Sequence, residues 1–302
     1  MSIVTIPQLI SQVETGNFKD LARAITMVEN GLEGSAELLR KLKPGGTPII
    51  GITGPPGAGK STLVNAIINN WSSQGKRIAV IAIDPTSPFN LGSLLGDRIR
   101  MAEHFNNKNV YIRSVATRGS LGGLSAKTIE ITDVLQSAGF DYIIVETVGV
   151  GQSEVEIAGL ADLSVVVLVP ESGDEIQNIK SGLMEIADIF VVNKSDREGA
   201  ETFANNLKKL VHQKSGNLRV IKTVAHRAEG VEDLIHAIEE HSYSVNHKKP
   251  FLLAEKAWKL IQNDRMKDID KKKLQADLDK ACKNSDFNLY SFIEAFVKIK
   301  NS

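Results

Sequence analysis

The chain has 302 residues, 42% of them hydrophobic, and its 36 Lys and Arg are matched by 36 Asp and Glu. That length buries a sizeable core, as one large α/β domain with appendages or as two small domains. The charge balance leaves no overall field to draw the chain to nucleic acid or to an acidic membrane, so any anion site has to be built locally. Its one cysteine, Cys282, excludes an internal disulfide, a cysteine-built zinc cluster and a cysteine-ligated iron–sulfur centre.

Taken in chain order, the first segment lacks a basic stretch followed by a long apolar core, and runs such as VVVLV are far too short to span a membrane. A cytoplasmic protein is expected. Residues 1–46 read as a helical extension. FKDLARAITMVENG places Leu21, Ala24, Ile25 and Val28 on one stripe and stops at Asn30-Gly31, and a short helix SAELLRKL follows.

From 47 to 240, strand-like runs alternate with helical ones: TPIIGIT, RIAVIAI, VYIRSV, YIIVE, LSVVVLV, IFVVN and RVIKTV. Continuous Val/Ile runs separated by helices predict strands buried on both faces, hence a mainly parallel doubly wound sheet with its ligand site at the carboxyl ends of the strands. Residues 241–302 turn helical again, in FLLAEKAWKLI and in NLYSFIEAFVKI, whose Leu289, Phe292, Ile293, Phe296 and Val297 share a face. This arm carries 13 Lys and Arg against 8 Asp and Glu. Such a stripe either packs on its own domain or closes a dimer.

The chemistry starts at GITGPPGAGKST, residues 51–62, whose Gly54, Gly59, Lys60 and Ser61 fit the phosphate-binding pattern G-x-x-x-x-G-K-S/T. A β-branched run precedes it and a helical repeat of Leu63, Ile67 and Trp71 follows, which is the strand–loop–helix context the motif needs. The N–H groups of Gly54, Gly57, Ala58, Gly59, Lys60, Ser61 and Thr62 then face an anion at a helix N-terminus, with Pro55 and Pro56, which have no N–H, shaping the loop around it. Lys60 reaches the terminal phosphates and the Ser61 hydroxyl is placed for Mg²⁺.

Acidic residues at strand ends are candidate Mg²⁺ ligands or helix caps: Asp84 after RIAVIAI, Glu146 after DYIIV, and Asp97 in a Gly-rich loop. NKSD, Asn193 to Asp196, matches N-K-x-D. In that motif the carboxylate of Asp196 accepts the ring N–H and exocyclic amine of guanine while the Lys194 stem lies over the base, so GTP is favoured over ATP. ETVGVGQSE follows the Glu146 strand and puts Gly149 where a backbone approaches a γ-phosphate. Six scattered histidines include no pair at ligand spacing with a carboxylate. Arg118 and Lys127 flank another Gly-rich loop and read first as solvated residues.

GITGPPGAGKST, AIDPTSP, GSLLGDR, LGGLSAKT, VETVGVGQSE, GDEIQNIKSG and VVNKSD together resemble the MeaB/ArgK family, the methylmalonyl-CoA mutase-associated GTPases. The resemblance runs from the helical extension to about residue 240. It implies a P-loop GTPase of the dimerising signal-recognition and MinD-like (SIMIBI) class, binding GTP and GDP with Mg²⁺ and serving an adenosylcobalamin-dependent acyl-CoA mutase as a chaperone. It assigns Ser61, Asp84, Asp97 and Glu146 to the metal, and Lys60, Asp97 and Glu146 to hydrolysis. It also assigns Asn193, Lys194, Asp196 and the segment Val224, Ala225, His226 to the base.

The chain departs from that family at Glu171 and Ser172, where a small residue or glycine is usual, in the loop PESGDEIQNIKSG that resembles the element signalling nucleotide state to the mutase. It departs again at Val224–His226, where Ser-Ala is usual. A kinase acting on a transport-system component and a metal-insertion GTPase are the competing functions. The first would tolerate ATP, against NKSD, and the second would carry a His/Cys-rich tract.

Overall fold

A computed structural model of the chain describes residues 5–84, 101–116, 126–147, 157–171, 183–214, 218–241, 249–284 and 286–300. Among these residues seven strands form one sheet: β1 Ile49–Thr53, β2 Ile78–Asp84, β3 Val110–Ala116, β4 Tyr142–Glu146, β5 Leu163–Leu168, β6 Ile189–Val192 and β7 Arg219–Lys222. Their order is β3-β2-β4-β1-β5-β6-β7, and every pair is parallel. This is the expected doubly wound P-loop fold, with β1 at the point where the connections change direction.

The strands read as unbroken apolar runs because alternate residues enter different cores. Ile50, Ile52, Val80, Ile144 and Val165 pack on one face with Leu63, Ile67 and Trp71 of helix Lys60–Ser73 and Leu234 and Ile238 of helix Val231–Glu239. Ile49, Ala79, Ile81, Ile143 and Val145 point the other way. There they meet helix Ala126–Gln136 and the extension Ile6–Glu14, Phe18–Glu29 and Ser35–Lys41. The extension thus shares the core of the sheet through the stripe Leu21, Ala24, Ile25 and Val28, each fully buried. A third cluster joins Val166, Leu168, Phe190 and Val192 to Phe203, Leu207 and Val211 of helix Ala200–Lys214.

Trp71 anchors the helix after the loop. Its ring stacks on Tyr142 at 4.2 Å between centroids, and its indole N–H donates to Glu239 at 3.0 Å. A buried indole with its polar edge satisfied contributes on the order of 3–5 kcal/mol against truncation to alanine.

The chain divides into two compact units, Met1–Lys256 and Ala257–Ser302. Helix Lys249–Met266 crosses that boundary, and helices Lys271–Ala281 and Leu289–Lys300 belong to the second unit. The middle of these is short and lysine-rich, with Leu274, Leu278 and Ala281 along one side, and its N-cap Asp270 accepts from the N–H groups of Lys272 and Lys273. Within this unit Phe287, Phe292 and Phe296 form a run of ring contacts, while Trp258, Ile261, Leu289, Ile293 and Val297 are exposed. Among the described residues no helix is long and apolar enough to cross a membrane.

Candidate functional site

The loop between β1 and the following helix sits at the carboxyl end of the central strand. Gly54 has φ 138°, and a Cβ there would lie 2.0 Å from the carbonyl oxygen of Val167. Gly59 caps the helix at φ 87°, where a Cβ would lie 2.4 Å from Nδ2 of Asn193. Both glycines therefore answer a left-handed backbone and a close approach at once.

Lys60 opens the helix with its side chain buried, and its ammonium donates to the carbonyls of Gly54 (2.8 Å) and Pro55 (3.0 Å). The Ala58 N–H also bonds Pro55, at 3.2 Å, which closes the loop into a turn. Ser61, buried next to it, donates its hydroxyl to Oε1 of Glu146 at 2.6 Å. Glu146 is the last residue of β4 and pairs in register with Ile52 of β1, so strand order delivers its carboxylate to the helix start. One residue on, the Thr147 hydroxyl donates to the Thr53 hydroxyl at 2.9 Å and ties the two strand ends together.

Asp84 belongs to β2 itself, opposite Ala116, two positions beyond the Ala82–Glu146 pair. The Asp84 side chain, Asp97, Gly149, Ser172 and Arg118 lie outside the described residues. Among those described, no group of three or more His, Cys, Asp or Glu side chains is placed to hold a metal ion by itself. Two buried hard oxygens at a phosphate-loop helix, those of Ser61 and Glu146, nonetheless have the donor chemistry that suits Mg²⁺, which takes few protein ligands and completes its shell with phosphate and water.

On the opposite side of the loop, Asn193 is buried with both of its polar side-chain atoms bonded. Its Nδ2 donates to the carbonyl of Ala58 at 2.8 Å, and its Oδ1 accepts from the Thr223 hydroxyl (3.0 Å) and the Ala225 N–H (3.1 Å). Asn193 thus knits the phosphate loop to the segment after β7. Lys194, at φ 56°, sends its ammonium to the carbonyl of Gly57 at 2.6 Å, which lays its stem along the loop. Ser195 bonds the carbonyl of Thr223 through both its N–H (3.0 Å) and its hydroxyl (2.9 Å). Asp196 is left at the surface with Arg227 at 3.8 Å.

Of the base-side trio, Val224 and Ala225 are buried and His226 is exposed. The Val224 N–H bonds the carbonyl of Glu229 at 3.0 Å and forms a small bridge there. Thr62 lines a groove of about 790 Å³ with Asn65, Asn69, His226, Arg227 and Glu232. Beside it, buried His104 bonds Oδ1 of Asn65 at 2.8 Å, and Glu103 accepts from the amides of Asn65 and Asn69. Because a carboxylate only accepts, Glu103 orients the Asn65 amide and so makes Nε2 of His104 the donor. Burial lowers the His104 pKa from its ordinary 6.5, against a smaller opposing pull from Glu103.

Sequence reading does not reach several of these groups: Asn65, His104 and Arg227 lie outside the quoted motifs, and Thr53 and Thr147 lie inside two of them at positions to which the patterns give no role. Lys127, read as solvated, pairs with Glu130 at 2.7 Å. Arg197, directly after NKSD, pairs with Glu171 at the end of β5, and that hydrogen bond holds the Glu171 carboxyl below its ordinary range.

Residues 21–278 match the family described as methylmalonyl Co-A mutase-associated GTPase MeaB. The chain belongs to the MeaB family. It is 50% identical over 245 residues to a putative GTPase of Pyrococcus abyssi, covering 78% of this chain and 76% of the relative. It is 33% identical over 312 residues to the GTPase ArgK of Escherichia coli, covering 99% and 92%. The crystal structure of a LAO/AO transport system kinase matches with a TM-score of 0.67 and 25% identity over 100% of this chain and 99% of that one. This MeaB-family member is accordingly a P-loop GTPase, a hydrolase of guanine nucleotide.

Proposed function

We propose that this GTPase is a nucleotide-dependent chaperone and switch for an adenosylcobalamin-dependent acyl-CoA mutase of the methylmalonyl-CoA mutase type. The observation that carries the reading is the match of residues 21–278 to a family described by its association with that mutase. The parts of the chain follow: residues 1–46 as extension, 47–240 as GTPase domain, and 241–302 as an arm whose exposed apolar face on Leu289, Ile293 and Val297 suits a homodimer contact. A cytoplasmic setting without nucleic-acid or membrane partners fits the neutral overall charge.

In this reading the N–H groups of Gly54 and of Gly57 to Thr62 hold the phosphates, and Pro55 and Pro56, which have no N–H, shape the turn. Lys60 exchanges its loop carbonyls for the terminal phosphate oxygens. Asp196 reads the guanine edge, Lys194 lies along one face of the base, and Val224, Ala225 and His226 border it. Asn193 holds both loops. Ser61 and Glu146, with Asp84 and Asp97, hold Mg²⁺, and Gly149 approaches the γ-phosphate. Mg²⁺ held by these residues would supply neutralisation of charge on the phosphate oxygens.

The chain's own contribution to hydrolysis, through Lys60, Asp97 and Glu146, is positioning and electrostatic neutralisation. Intrinsic turnover is then slow, and partner or second subunit completes the site. The Arg197–Glu171 pair links the base-reading loop to the segment that begins the proposed signalling loop.

The test is calorimetric titration of the mutase against this protein loaded with GDP and with a non-hydrolysable GTP analogue. Couplings of about 1–3 kcal/mol correspond to affinities differing about 5- to 150-fold. Equal affinities in the two states would remove the switch, and no binding in either would remove the partner.

A further inference from the structure

Arg227 ends a one-turn helix, Ala225–Arg227, directly after the segment that Asn193 holds. Its guanidinium faces two carboxylates, with Nη2 3.8 Å from Oδ2 of Asp196 and Nη1 3.9 Å from Oε1 of Glu229. The spacing is built into the backbone. Ser195 is doubly bonded to Thr223, Arg227 N–H bonds the carbonyl of Val224 at 2.9 Å, and Ala228 turns through φ 57° to bring Glu229 back against Val224. Both loops are therefore fixed, while the side chain of Arg227 remains 55% exposed and able to swing.

A guanidinium edge and the guanine edge offer a carboxylate the same thing, two adjacent N–H donors. We propose that Arg227 is a built-in competitor for the guanine-reading carboxylate, holding Asp196 in the empty site and passing to Glu229 when guanine arrives. The inference rests on the reading of Asp196 as the guanine acceptor. Its consequence is a moderated affinity: the nucleotide has to displace an ion pair, and the empty site is stabilised when the nucleotide leaves, which eases exchange. Glu229 sets the balance by drawing the guanidinium away from Asp196.

The pair is partly exposed, so the effect is modest, about two- to fivefold in affinity. In about 20 mM salt, Arg227→Ala binds GDP that much more tightly than the parent. Glu229→Gln binds it more weakly, because the guanidinium then has Asp196 alone. Both differences shrink in about 0.5 M salt, where exposed charges are screened.

In an Asp196→Asn protein measured with xanthosine diphosphate, adding Arg227→Ala changes nothing, since the charge it competes for is gone. Opposite shifts from the two single variants are not a pattern that simple loosening of the loop produces. Arg227→Ala binding GDP equally or less tightly, or Glu229→Gln leaving affinity unchanged, overturns the proposal. If instead Asp196→Asn keeps the parental affinity for GDP, the guanine reading itself has failed, and the competitor falls with it.

Discussion

The Ser61 hydroxyl donates to the Glu146 carboxylate across 2.6 Å, although 85 residues separate them along the chain. Both side chains are buried at the start of the phosphate-loop helix. Glu146→Gln keeps the shape and removes the charge, so nucleotide binding through the loop persists while the Mg²⁺ requirement rises. Loss of one charged hydrogen-bond partner is on the order of 1.5–3 kcal/mol, about ten- to a hundredfold in the Mg²⁺ concentration for half-maximal hydrolysis. Titrating hydrolysis against Mg²⁺ checks this; an unmoved midpoint would reduce the pair to a structural tie.

Asn193 holds three polar groups in the interior, on Ala58, Thr223 and Ala225. Asn193→Ala leaves them to find new partners, each at about 1–3 kcal/mol if it fails. The expected result is a loss of at least about 2 kcal/mol in urea unfolding together with weaker binding of GDP and GTP alike. A variant that loses nucleotide but keeps its unfolding midpoint would contradict the knitting role.

Gly54→Ala places a methyl 2.0 Å from the Val167 carbonyl oxygen at a backbone φ of 138°. Neither the backbone nor β5 can yield without opening the β1–β5 pairing, so destabilisation by about 3 kcal/mol or more is expected. Gly57 has a left-handed φ of 76° but open space around it, so Gly57→Ala costs only about 1 kcal/mol. Thermal unfolding of the two variants side by side tests the ranking, which similar melting points would reject.

His104 is neutral by virtue of burial, its pKa held below the ordinary 6.5. Around and below that value the unfolded chain takes up a proton more readily than the folded one, so stability rises with pH there. The contribution of this group is complete above about pH 6.5 and is lost as pH falls toward the depressed folded value, at no more than about 1.4 kcal/mol per unit. His104→Gln, which can still donate to Asn65, should flatten that part of the profile. Equal slopes for both proteins between about pH 5 and 7 would show that His104 titrates as it does when unfolded.

Much of this molecule is local and was legible in the sequence. The loop glycines announce their backbone conformations, the apolar stripe of Phe18–Glu29 announces its buried face, and continuous Val/Ile runs announce strands covered on both sides. Each follows from the chemistry of a few neighbouring residues. The sequence also offers three candidate acids, favouring Asp84 and Glu146 at the ends of the most apolar strands over Asp97 in a Gly-rich loop, but which carboxylate meets Ser61 depends on the order of the strands. Insertion of β4 between β2 and β1, with Ile52 beside Glu146, is what sets that carboxylate against Ser61.

The same holds for Asn193 and Arg227. NKSD reads in sequence as one base-recognition unit, yet Asn193 makes its side-chain hydrogen bonds to the two loops that flank the site. Arg227 has no motif, and becomes significant only because the parallel pairing of β6 with β7 brings their following loops side by side. Hydrophobic periodicity and turn chemistry act over a few residues and are written in order along the chain. A hydrogen bond or ion pair between distant residues depends on which strands become neighbours, and only the folded sheet decides that.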